Sequence, residues 1–105
     1  MKIHPYNTSA WWEISAFIDG LTRIYNVPLS SIYVGITGDI TKRRSDHGVD
    51  SRDRTFGSVV CRHVMDARAI EAELIERGCD GGPGGGDNSS VYVYAFLKPG
   101  ACKAA

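Results

Sequence analysis

Between residues 9 and 25 the apolar side chains fall three and four apart. Trp11, Ile14, Phe17, Ile18, Leu21, Ile24 and Tyr25 mark one side of a helix, and Glu13, Asp19 and Arg23 the wet side. Ser9 suits an N-cap, and Asn26 with Pro28 ends the element. Ser31–Thr37 is rich in β-formers and predicts a strand. Gly38 then turns the chain, and Asp39 caps a helix that runs to His47 and closes at Gly48. Residues 49–55 are polar and predict a loop. Phe56–Met65 is nearly continuously apolar and predicts a second strand, after which Asp66 caps a third helix ending at Gly78. The stretch CDGGPGGGDNSS is too rich in glycine for regular structure and is expected to be a flexible connector. In VYVYAFLK, Tyr92, Tyr94 and Phe96 face one way and Val91, Val93, Ala95 and Leu97 the other. A strand apolar on both faces belongs inside a sheet, whereas the tail PGACKAA is expected to fray. The order α–β–α–β–α–β predicts a single small α/β domain over residues 1–105, a three-stranded sheet with three helices on it.

Two helical positions do not fit this apolar scheme. The buried stripe of the third helix is expected to hold Ala67, Ile70, Leu74, Ile75 and Gly78, and position 71 falls inside it as glutamate. A carboxylate on a buried face is costly unless a cation or a metal ion meets it; the bland reading is a stripe-edge glutamate that snorkels to water. On the second helix Arg43 and His47 share a face with Ile40, while Lys42 and Arg44 point elsewhere. Tyr33 stands on the strand just before, and Gly35 and Gly38 allow close backbone approach.

Composition limits what this cluster can mean. Twelve basic residues balance twelve acidic ones, so a non-specific, strongly basic nucleic-acid coat is excluded and any polyanion must be met by a local patch. No apolar run approaches membrane-spanning length, and the first residues lack a signal-peptide core, so a cytoplasmic protein is expected. Cys61, Cys79 and Cys102 are odd in number and irregular in spacing, as for reduced thiols. Cys61, His63 and Cys79 lack the paired spacing that would support a zinc site.

The run Tyr33-Val34-Gly35-Ile36-Thr37-Gly38-Asp39-Ile40-Thr41-Lys42-Arg43, followed by His47, resembles the second half of the GIY-YIG nuclease signature. In that family the arginine lies ten residues after the tyrosine, as Arg43 does after Tyr33, and several branches add a histidine four residues later, matched by His47. The family's metal-binding glutamate sits in an apolar helix, and Ile70-Glu71-Ala72-Glu73-Leu74-Ile75 matches with Glu71 aligned. The resemblance covers residues 31–76. It departs from the family at the leading G-[IV]-Y strand, because Arg23-Ile24-Tyr25-Asn26 is helical in period and lacks glycine. Either Tyr25 supplies that hydroxyl from a helix end, or the strand is circularly permuted to Ser90–Tyr94, with Tyr92 the leading tyrosine and Tyr94 the second.

The resemblance implies a mainly antiparallel sheet and a metal-dependent endonuclease that hydrolyses phosphodiester bonds, with DNA favoured over RNA. In its terms Glu71 holds Mg²⁺ or Mn²⁺ and Arg43 binds the scissile phosphate. Tyr33 positions water with His47 as its partner, and Tyr92 or Tyr25 makes further phosphate or water contacts. Asn88 stands for an asparagine found beyond the metal helix in some branches. Lys42, Arg44, Arg52 and Arg54 are candidates to extend the nucleic-acid patch, and Trp11 and Trp12 to stack on bases, although Trp11 reads better as core. The chain leaves no room for a separate DNA-binding domain, so specificity would come from nucleic-acid structure, a homodimer or a partner protein. Two rivals remain: an inactive nucleic-acid-binding or partner-binding module of the same fold, and an unrelated α/β protein in which Glu71 pairs with Arg43 as a structural salt bridge.

Overall fold

The structure, a computed structural model, describes residues 8–48, 54–82 and 89–100. Helix α1 (Thr8–Tyr25) is followed by a short 3₁₀ turn, strand β1 (Ile32–Thr37), helix α2 (Ile40–Asp46), strand β2 (Phe56–Val60), helix α3 (Val64–Arg77), and strands β3 (Asp80–Gly81) and β4 (Tyr92–Leu97). The sheet has four strands in the order β2-β4-β1-β3. β4 runs antiparallel to both β1 and β2, and β3 pairs parallel to β1.

The local chemistry explains the element ends. At the end of α1 Asn26 takes a left-handed φ of 52°, and the Val27 amide donates to the Thr22 carbonyl. α3 ends likewise at Gly78, with the Cys79 amide bonded to the Leu74 carbonyl and that of Gly78 to Ile75. The Asp39 carboxylate caps α2 by accepting from the Lys42 amide at 3.0 Å.

Alternation along the strands divides the sheet into two faces. On one face Ile32, Val34 and Ile36 of β1, Val59 of β2 and Val93, Ala95 and Leu97 of β4 form the main core. They pack there with Trp11, Ile14, Ile18 and Leu21 of α1 and Ala67, Ile70 and Leu74 of α3. Arg77 lies over the Trp11 ring and ties the two helices together. The opposite face carries a smaller aromatic cluster of Phe56, Tyr94 and Phe96, against which Tyr33 and Ile40 pack.

Three expectations are corrected. The sheet has four strands rather than three, because Asp80 and Gly81 at the start of the glycine-rich stretch add a short parallel edge beside Tyr33 and Val34. β2 ends at Val60 rather than Met65. The Cys61 amide still bonds to Val91, but Met65 is exposed on a helix that has already begun. His63, not Asp66, occupies the N-cap position of α3; Asp66 lies in the first turn, where the helix dipole also favours an acid. The expected polar loop, glycine-rich connector and frayed tail fall largely on residues 49–53, 83–88 and 101–105, which lie outside the described residues. Among the described residues no helix is long and apolar enough to cross a membrane.

Candidate active site on the aromatic face of the sheet

Phe96 stands in register between Tyr33 on β1 and Phe56 on β2, so three rings lie side by side across the sheet. One pleat further along β4 comes Tyr94, whose register partners are Gly35 and Ser58. The small partner matters. A Cβ built on Gly35 would collide with the Tyr94 hydroxyl and ring, so the phenol lies across β1 where only glycine leaves room.

α2 lies over these rings. The His47 ring centroid is 4.9 Å from that of Phe96 and 5.1 Å from that of Tyr33, and His47 Nε2 is 3.0 Å from the Tyr94 hydroxyl. Arg43, one turn earlier, lies near enough for its charge to act on the same hydroxyl. The phenol thus faces the Arg43 charge and can donate its proton to His47 Nε2. Burial first, and the Arg43 charge second, hold the His47 pKa below its ordinary 6.5, with Asp46 opposing. The imidazole is therefore mainly neutral at pH 7 and a competent proton acceptor. Burial pushes the Tyr94 hydroxyl up to about 12, with Tyr33 and Glu71 adding to the rise and Arg43 opposing it.

Glu71 of α3 is only 3% exposed. Among the described residues its carboxylate has no hydrogen-bond or ion-pair partner. Burial pushes its pKa up to about 7, offset in part by Arg68. The structural salt bridge with Arg43, expected on one rival reading, does not form; Arg43 engages Tyr94 instead. An orphaned carboxylate whose charge is felt at the Tyr94 hydroxyl is suited to a hard divalent cation. Among the described residues no three ligating side chains cluster, so the remaining ligands would be water and substrate oxygens, as Mg²⁺ tolerates.

The structure thus brings Tyr33, Arg43 and His47 together, with Glu71 in electrostatic reach of the tyrosine that joins them. Two role expectations change. Tyr94, not Tyr92, sits at the centre, because Tyr94 is the one opposite Gly35; Tyr92 faces Thr37 and Val60 one pleat away and, among the described residues, makes no hydrogen bond or ring contact with the cluster. His47 bonds to Tyr94, and meets Tyr33, the expected partner, only ring against ring. Tyr25 packs on the opposite, helix-covered core.

Among the described residues, the candidates for a basic patch sit in different settings. Lys42 pairs with Asp46 at 3.3 Å on an exposed turn. Arg44 does not point away but lies over the Phe56 ring at 4.5 Å, its Nε buried without a hydrogen-bond partner among the described residues. Arg54 lines a cavity of about 350 Å³ formed mainly by α1, with Phe17, Leu21 and Ile24. Arg52 and Asn88 lie outside the described residues. Trp11 is core and Trp12 is exposed. Cys61 and Cys79 are free and buried, and burial pushes both thiols up to about 11.

The Tyr94–His47 bond is not readable along the chain. Its signal is present there in two parts, an aromatic period-two stripe in β4 and a lone glycine inside β1, but pairing them requires the strand register. No family model, curated protein or solved structure matches this chain.

Proposed function

We propose that this chain is a metal-dependent endonuclease of the GIY-YIG type, hydrolysing phosphodiester bonds in nucleic acid, with DNA the favoured substrate. The observation that carries the reading is Glu71. It is a buried carboxylate without a partner among the described residues, felt at a tyrosine hydroxyl that an arginine and a neutral histidine already share. Packing alone gains nothing from such a charge. The permuted arrangement is part of the same proposal, since β4 lies antiparallel against β1 and contributes Tyr94 to the cluster.

In this reading Arg43 binds the scissile phosphate. Its charge bears on Tyr94, and its guanidinium fork is available to phosphate oxygens, where negative charge develops during attack. With its pKa near 12, Tyr94 does not act as a free tyrosinate at neutral pH. It acts as a relay: its oxygen takes a proton from the attacking water while its own proton passes to His47 Nε2, so the phenol is neutral before and after. The depressed pKa of His47 keeps that acceptor vacant at pH 7. Tyr33 packs against the imidazole and holds the ring in line. Glu71 would hold Mg²⁺ or Mn²⁺, which when bound supplies charge neutralisation at the phosphate and at the leaving oxygen.

The test is incubation of the purified chain with labelled single- and double-stranded DNA and RNA, in Mg²⁺ or Mn²⁺ and in chelator, beside Glu71→Gln. Metal-dependent cleavage that the variant lacks is expected. Binding without cleavage by the wild type would replace the enzyme with an inactive nucleic-acid-binding module.

A further inference from the structure

Tyr92 is unused by the chemistry above, yet it shares the face of the sheet on which that chemistry sits. Side chains two apart on a strand stand roughly 7 Å apart on one face, so Tyr92 is the immediate neighbour of Tyr94. Among the described residues its ring has no hydrogen bond, ion pair or ring contact, unlike Tyr33, Tyr94, Phe56 and Phe96, which all pack on one another. Its register partner on β2, Val60, is 58% exposed on the same face, and Ser58 beside Tyr94 is exposed as well. Tyr92 itself is half-buried, and it is the least buried residue of β4. An aromatic ring flanked by an exposed aliphatic side chain, one pleat from an arginine that meets a phosphate, is arranged to stack a base while its backbone is held.

We infer that Tyr92, with Val60 beside it, is a stacking platform for the nucleobase next to the scissile phosphate, and that the substrate is therefore single-stranded or locally unpaired nucleic acid. This rests on the nuclease reading, because it is Arg43 that fixes the phosphate relative to the ring. The substrate preference follows from the geometry. A base engaged in duplex stacking has no free face to lay on a protein ring, so duplex carries an unstacking cost that a single strand does not. The neutral net charge agrees with this division, since affinity would come from stacking as much as from phosphate contacts.

The test measures binding of a twelve-residue oligothymidylate, of an abasic oligomer of the same length, and of the corresponding duplex to the Glu71→Gln protein in chelator, where nothing is cleaved. The background variant is compared with the same protein carrying Tyr92→Ala, Tyr92→Phe or Tyr92→Trp, each checked by thermal melting. Single strand is expected to bind more tightly than duplex. Tyr92→Ala should weaken oligothymidylate binding roughly 5- to 150-fold, the equivalent of about 1–3 kcal/mol per stacked base. Phe and Trp should retain it, and the Ala variant should lose most of the preference for thymidylate over the abasic oligomer. The inference is overturned if Tyr92→Ala binds within twofold of its background, if Phe is as poor as Ala, or if duplex binds as well as single strand. In those cases cleavage by the wild type would still uphold the nuclease. If no nucleic acid binds any of the proteins and the wild type cleaves none, the nuclease reading falls and the platform with it.

Discussion

Replacing Glu71 with glutamine should make the metal-free protein more stable while removing its activity. The carboxyl is buried and unpartnered among the described residues, and its pKa is raised from 4.5 to about 7 in the folded chain. A raised carboxyl binds its proton more tightly in the native state than in the unfolded state. Its contribution is therefore most favourable below pH 4.5, declines as pH rises towards 7, and is constant above. The span corresponds to about 3 kcal/mol, at about 1.4 kcal/mol for each pH unit. Glutamine has nearly the same shape and cannot ionise, so it resembles the protonated wild type. Urea denaturation in chelator at pH 4.5 and at pH 8 reads the effect, with the difference between the two proteins cancelling the titration of every other group. At pH 4.5 the proteins should be nearly equal, and at pH 8 the glutamine variant should be more stable by about 3 kcal/mol. Adding Mg²⁺ at pH 8 should raise the midpoint of the wild type alone, because a ligand of the native state stabilises only the chain that binds it. A glutamine variant that is equal to or weaker than the wild type at pH 8 without metal would refute the reasoning. It would mean that a cation such as Arg68 or Arg43 already neutralises the carboxylate, and that Glu71 is a structural ion-pair partner rather than a vacant ligand.

Three further outcomes follow from the same geometry. Tyr94→Phe should remove the relay oxygen, lowering kcat by roughly 10²- to 10⁴-fold while shifting stability by only about 1 kcal/mol, as compared by single-turnover cleavage and thermal melting. Gly35→Ala should drive its methyl into the Tyr94 phenol, costing about 1–3 kcal/mol of stability and most of the activity; a variant with wild-type cleavage and melting would show that the phenol does not need that space. At saturating Mg²⁺ the acid limb of the rate profile should lie below pH 6.5, set by His47, and it should move up towards pH 7 as Mg²⁺ is lowered and protons compete for Glu71. A limb that stays fixed across metal concentrations would separate Glu71 from the metal.

Much of this protein is legible along the chain because helical and strand periods are local. The apolar spacing of α1 and α3 marks the residues that form the main core, and that spacing alone puts Glu71 on a buried face. Asn26 and Gly78 end their helices where left-handed geometry is needed, and the two-sided apolar pattern of β4 announces an interior strand. What the chain does not announce depends on partners distant in sequence. The two-residue β3 exists only because Tyr33 and Val34 present an edge to it, a parallel pairing that leaves no periodic trace in a glycine-rich stretch. Arg44 turns inward because Phe56 offers a ring to lie on, which its place on the α2 wheel does not indicate. Tyr92 and Tyr94 are indistinguishable by alternation, since both point to the same face. Tertiary register alone sets Tyr94 opposite Gly35 and beneath His47, and leaves Tyr92 one pleat away, half-buried and without a ring contact among the described residues. Local period decides which face a side chain joins; only the pairing of strands decides what it meets there.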